Sequence, residues 1–329
     1  MAKKSTKPKS NKIQRRTRRS KVTPAEVTLK YQLPGDGSDV YIDLMRDVSR
    51  INRRMYNQGQ CVRISHIEIR QDNADQNVGL NTTIKTLPLT WVSAQAYMKA
   101  RQHWMNQQTL ARKTGGSIKP TYEDFKVYMD SGHRTGVTLD TLDGAGTPVT
   151  AGEWDYSRLV YADQSVSPEV VRQPHLHMVG ADVGNSDVGL INAYEDSRAT
   201  IQGPDPNVPA TASTSIYAKM IGGADDGTTA QVIDNMEDDN DATPYSKANY
   251  PGGAVNYPTN VDKAYLQSSA ANPIVATGGI VAMCGLLRIY SQGKNVTTGG
   301  NVNVPGTMLI HLVPGNKKGL LTANVGDLV

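Results

Sequence analysis

Residues 61–70 read Cys-Val-Arg-Ile-Ser-His-Ile-Glu-Ile-Arg, apolar and polar side chains interleaved at strand period, with β-branched residues supplying most of the apolar set. Residues 175–179, 215–221, 280–290 and 308–313 likewise have strand period or form short apolar runs bounded by Gly and Pro. The segments between them, notably 203–213 and 222–260, are too long and too polar for simple hairpins. Short strands joined by long loops predict a mainly β fold, a single jelly roll (β-sandwich), and argue against βαβ units. The sequence contains no internal repeat.

Three helical insertions interrupt that pattern. Leu44, Val48, Ile51 and Met55 recur at helical spacing, which predicts a helix near 43–57 with Gly59 as its stop. A second is predicted near 91–111, where Trp91, Ala94, Met98, Trp104 and Met105 precede Gly115-Gly116. A third is predicted near 121–130, because Thr121 with Asp124 three residues on looks like a capping box. The polar face of the first helix carries Arg46, Arg50, Arg53 and Arg54. They read either as a solvated face paired with Asp43 and Asp47 or as part of a polyanion-binding surface.

Composition removes several classes. No stretch approaches the roughly 20 consecutive apolar residues a membrane-spanning helix needs, and the best, residues 274–287, is broken by Gly278, Gly279 and Gly285. No membrane partner is expected. Cys61 and Cys284 lie far apart in sequence and build neither a disulfide framework nor a structural zinc site, as in a reducing compartment. Fifteen Tyr and three Trp stand against a single Phe, Phe125. Such amphipathic aromatics suit half-buried, protein-facing surfaces, a hint of self-assembly.

The charge is unevenly placed. Ten cations precede the first acid, Glu26: Lys3, Lys4, Lys7, Lys9, Lys12, Arg15, Arg16, Arg18, Arg19 and Lys21. The whole chain has 35 cations and 31 anions, so removing these ten leaves 25 against 31, a body charge of −6. Ile13 is the one large apolar residue among them, so residues 1–22 are predicted to be a disordered basic arm and 23–329 the folded body. A transit peptide would need an amphipathic face that is missing, and a merely solubilising tail leaves ten like charges repelling one another. Nucleic acid is the partner that resolves the repulsion. With no aromatic residue for stacking, the arm is expected to contact phosphates and to read little sequence. Lys3-Lys4 and Arg15-Arg16-x-Arg18-Arg19 also resemble nuclear-import clusters, which makes a host import receptor a further expected partner.

Catalytic motifs are missing: no phosphate-binding Gly-rich loop ending in Lys-Ser/Thr, no His-Glu-x-x-His and no nucleophile elbow occurs. His175 and His177 share a strand face, but no sequence neighbour offers a third ligand. The expectation is a non-enzymatic protein with no catalytic residue, no metal and no cofactor. The acid-rich segment 225–241 lacks the spacing of a calcium loop and reads as a solvated loop.

Read in order, the pieces resemble the capsid proteins of small circular single-stranded DNA viruses that encode their own replication initiator, particularly environmental and marine relatives. The stretches concerned are the basic arm, Tyr41-Ile-Asp-Leu, Asn52-Arg-Arg-Met-Tyr-Asn-Gln-Gly59, Leu87-Pro-Leu-Thr-Trp91, Trp104-Met105, Asp124-Phe-Lys-Val-Tyr128, Glu153-Trp-Asp-Tyr-Ser157, His175-Leu-His-Met-Val-Gly180, Val188-Gly-Leu-Ile-Asn-Ala-Tyr194, Cys284-Gly-Leu-Leu287 and Pro314-Gly315. The resemblance implies a jelly-roll coat protein that self-assembles into an icosahedral shell around single-stranded DNA, arm inward, found in the virion and, during assembly, in the host nucleus. The arm matches by composition only, so no individual contact transfers. The alternative is a cellular nucleic-acid-binding protein with a basic tail, a ribosomal or chromatin component, whose body would ordinarily be basic as well.

Overall fold

The computed structural model describes residues 23–73, 77–116, 124–152, 154–163, 168, 170–196 and 259–329. In chain order the first elements are β1 (Thr28–Leu33), β2 (Asp36–Asp43), α1 (Leu44–Asn52), β3 (Gln60–Gln71), β4 (Val78–Thr86) and α2 (Trp91–Gly115). Shorter pieces follow: α3 (Ser131–Thr135), β5 (Val137–Thr138), β6 (Tyr161–Asp163), β7 (Val170–Arg172), β8 (His175–His177), β9 (Asp187–Gly189) and α4 (Leu190–Asp196). The C-terminal part supplies β10 (Val261–Gln267), β11 (Ile274–Ala276), β12 (Ile280–Met283), β13 (Leu286–Asn295) and β14 (Asn301–Val302). It ends with β15 (Gly306–Leu312), β16 (Pro314–Lys317), β17 (Thr322–Asn324) and a closing 3-10 turn.

The protein is mainly β. One sheet runs β1-β15-β3, with β11 and β12 end to end along the far edge of β3 and β17 continuing the line of β15. A second six-stranded sheet runs β10-β4-β13-β2-β5, with β14 on the end of β13, and two small sheets, β6-β7 and β8-β9, stand apart. Within the two large sheets only the short β2–β5 pairing is parallel. One apolar cluster draws on both, with Leu29, Tyr31, Ile64, Ile67, Ile69 and Ile310 from the first and Ile42, Leu80, Ile84, Leu287 and Ile289 from the second. A second cluster gathers Val92, Ala96 and Tyr97 of α2 with Phe125, Val127, Met129, Leu176 and Ile191. No described helix is long and apolar enough to cross a membrane.

The stretch 61–70 lies within β3 but is not a uniform strand. Ser65 and His66 both face outward, after buried Ile64 and before buried Ile67. The pairing with β15 slips at the same place, His311 lying opposite His66 and Leu312 opposite Ile64. This bulge changes the phase so that apolar residues on both sides of it reach the core.

Three expectations need correction. The first helix ends at Asn52 rather than near 57, because Arg53 takes a left-handed conformation (φ 50°) with its N–H bonded to Ser49 O. Residues 124–130 are extended, not helical. Phe125, Val127 and Met129 alternate into the core, and neighbours claim the backbone groups a helix would use: Val127 N donates to Gln58 Oε1, Lys126 N to Ser157 Oγ and Tyr128 N to Leu176 O. The Asp124 carboxylate, read as a cap, instead accepts from Gln58 N and Asn57 Nδ2. The apolar run 280–290 is two strands in different sheets, turned by Cys284 (φ 58°) and Gly285 (φ 68°). At that corner Leu44 N donates to Gly285 O, and a Cβ on Gly285 would sit 3.1 Å from Met45 Cγ. The second helix extends to Gly115, with Gly116 (φ 62°) as its left-handed cap.

Asp43 organises the junction of β2 and α1. Its Oδ1 accepts from Met45 N and Arg46 N as the helix cap, while Oδ2 accepts from Gln58 Nε2, Trp154 Nε1 and Tyr156 Oη. Beyond it His133 Nδ1 accepts from Met129 N, and Nε2 lies 3.4 Å from Tyr156 Oη.

These buried groups set a pH dependence. Burial lowers the His133 pKa to about 4, so the fold holds it neutral while an unfolded chain protonates near 6.5. Its contribution is complete above pH 6.5 and declines as pH falls toward 4, by about 2 kcal/mol at pH 5. Burial raises Asp47 to about 6, with Arg46 and the Tyr31 hydroxyl opposing. The fold thus favours protonated Asp47, and lowering pH from 7 to 5 returns about 1.3 kcal/mol. Asp47 thus offsets about two thirds of the His133 loss. Asp47→Asn is therefore expected to steepen the loss of stability between pH 7 and 5 by about 1.3 kcal/mol in urea titrations, and parallel curves for the two proteins would disprove the assignment.

Candidate nucleic-acid interface

The ten arm cations, Lys3 to Lys21, lie outside the described residues. What the structure describes is where the arm leaves the body. Glu26 N donates to Asn52 Oδ1, Asn52 Nδ2 returns a bond to Glu26 O, and Arg54 Nη1 donates to Pro24 O at 2.7 Å. Opposite, the turn at Lys318 and Gly319 closes over the chain. A Cβ on Gly319 (φ 102°) would lie 2.4 Å from Ala25 Cβ and 2.7 Å from Thr23 O, so only glycine allows this approach. Tyr56 Oη donates to Lys318 O at 2.8 Å, and Lys318 Nζ donates to Met55 O.

Arg54, Lys317 and Lys318 are exposed around this exit, with Glu26 and Asp327 as the acids of the same rim. Burial, then repulsion from Lys318, lowers the Lys317 pKa, against the attraction of Asp327. A phosphate at the rim would relieve that repulsion. The outward face of the first sheet adds Lys30, Arg63 and Arg70, none of which has an ion-pair partner among the described residues. The arginines of α1 divide. Arg46 is buried between Asp47 and Asp140, which with Asp43 overcome the burial penalty and raise its pKa; Arg50 also pairs with Asp140 at 2.6 Å. Arg53 turns onto Ala151 O. Arg54 alone of the four joins the arm exit.

The other described candidate residues hold defined places in the fold. His177 is buried and its Nδ1 lies 2.9 Å from Val179 O, while His175 is half-exposed. Register brings Asp187 opposite His175, an acid that sequence neighbours did not reveal, but Arg134 holds both its oxygens at 2.6 and 2.9 Å. Cys61 and Cys284 are free and buried, and burial raises the Cys61 thiol to about 11. The β3–β12 register places Cys61 opposite Met283, next to Cys284, a proximity invisible in the sequence. The acidic segment 225–241 and the strand expected at 215–221 lie outside the described residues. One cluster escaped sequence reasoning: His66, Glu68 and His311, whose ligand atoms lie within 4.8 Å of one another. The His-x-Glu spacing on a strand was a visible signal, but its third member depends on strand register.

No protein-family model, curated protein or solved structure matches this chain.

Proposed function

We propose that the protein is a viral coat subunit that assembles into an icosahedral shell and packages single-stranded DNA through residues 1–22. The observation that carries this reading is the direct coupling of an acid-free, ten-cation arm to β1, the edge strand of a two-sheet body whose own formal charge is −6. A body of net negative charge and an arm of ten cations divide the labour of shell and genome binding. The strand orders β1-β15-β3-β12 and β2-β13-β4-β10 support a jelly-roll reading, since β1 and β2, β3 and β4, and β12 and β13 each pass from one sheet to the other.

Electron microscopy of the purified full-length protein tests the proposal. Closed, uniform particles whose contents are digested by deoxyribonuclease after opening are expected. A persistent monomer would exclude the coat role, and an open complex with cellular RNA or chromatin would favour a cellular nucleic-acid-binding protein instead.

A further inference from the structure

We propose that His66, Glu68 and His311 form a binding site for a divalent transition ion of the zinc class on the outward face of the first sheet. The β3 bulge creates it by turning His66 to the same face as its cross-strand partner His311. Glu68, two residues along the strand, shares that face. His66 Nε2 already lies 3.3 Å from Glu68 Oε1, the spacing that two ligands of one ion at bonds of about 2.0–2.1 Å require. His311 Nε2 is buried without a hydrogen-bond partner, and it offers a lone pair in the tautomer whose Nδ1–H donates to Thr28 Oγ1. The other ring nitrogens are engaged by hydroxyls: His311 Nδ1 lies 3.3 Å from Thr28 Oγ1, and His66 Nδ1 lies 3.2 Å from Ser65 Oγ. Such partners orient imidazoles so that Nε2 faces a metal.

The two rings are stacked, centroids 4.3 Å apart and planes 9° from parallel. Binding must fan them so that both in-plane lone pairs meet at one point. His66 and Glu68 have side chains 37% and 39% exposed, which leaves room for that rotation. Two imidazoles and one carboxylate suit zinc, nickel or copper, whereas calcium and magnesium prefer all-oxygen sets. Three protein ligands leave a fourth position for water. The site joins β3 to β15, and its ligands do not depend on the coat-protein reading.

The test is calorimetric titration of chelator-treated full-length protein with Zn²⁺ at neutral pH. One ion per chain is expected, with His66→Gln abolishing binding and Glu68→Gln weakening it by more than the roughly tenfold lost with an outer-shell partner. His103→Gln, on the exposed face of α2, should bind as the parent does. Zn²⁺ at a hundredfold excess over its dissociation constant should raise Tm by roughly 4 °C in the parent and not in His66→Gln. His66→Gln sits at an exposed position, so its loss of binding does not report misfolding; His311→Gln, judged folded by circular dichroism, should behave alike. No saturable binding at micromolar Zn²⁺, or unchanged stoichiometry in His66→Gln, overturns the proposal.

Discussion

Removal of residues 1–22 is expected to abolish nucleic-acid retention while leaving the body folded and able to associate. The arm holds all ten cations that precede the first acid, and what remains carries a formal −6. Ten phosphate contacts on a single strand correspond to a salt slope of at most roughly −7, so a fourfold rise in salt weakens full-length binding by up to about 10⁴-fold. The shortened protein should show no such slope and a protein-like ultraviolet absorbance ratio. Retained nucleic acid at low salt would mean that Lys30, Arg63, Arg70 and the rim around Thr23 bind without the arm. At roughly 3.3 Å per residue the arm reaches at most about 70 Å, far enough to follow a strand well away from the body surface.

Asp43→Ala is expected to be among the most damaging single changes in the body, costing about 3 kcal/mol or more. It removes a helix cap, worth about 1 kcal/mol, and leaves Trp154 Nε1 and Tyr156 Oη without their acceptor at about 1 kcal/mol or more each, while Gln58 Nε2 keeps Val127 O. Asp43→Asn should be nearly as harmful, since a single carbonyl oxygen cannot serve both the cap and the three side-chain donors. Urea unfolding followed by Trp fluorescence measures both variants. A loss below about 1.5 kcal/mol for Asp43→Ala would show that the surroundings collapse or hydrate to replace the carboxylate.

Strand period made 61–70 and 308–313 readable because their side chains alternate between core and solvent. It could not show that Ser65 is an extra residue, since a bulge appears in sequence only as two polar neighbours. The run 280–290 was opaque for the opposite reason: both sides of its corner are buried, so Cys284 continues the apolar pattern while its backbone reverses the chain. At 125–129 the period of two was visible, yet a cap-like Thr121 and Asp124 pointed to a helix; tertiary partners for the backbone decided otherwise. The charge of residues 1–22 was legible because charge needs no partner to be counted. The arm exit, the Asp43 network and the His66–His311 pair were not, because each joins residues through register or loop placement that local spacing does not encode.

The position of β15 has a consequence for how the protein is made. It lies between β1 and β3, so Thr28 meets His311 across 283 residues, and β13 likewise lies between β2 and β4. The first sheet cannot close until β15 has left the ribosome, nor the second until β13 has. During synthesis the emerging β1 through β4 expose unpaired edges and apolar faces, the state in which chains most need chaperones. The basic residues 3–21, made before the body, are meanwhile tethered to an unfinished fold, and β1 through β4 wait for the far later β13 and β15.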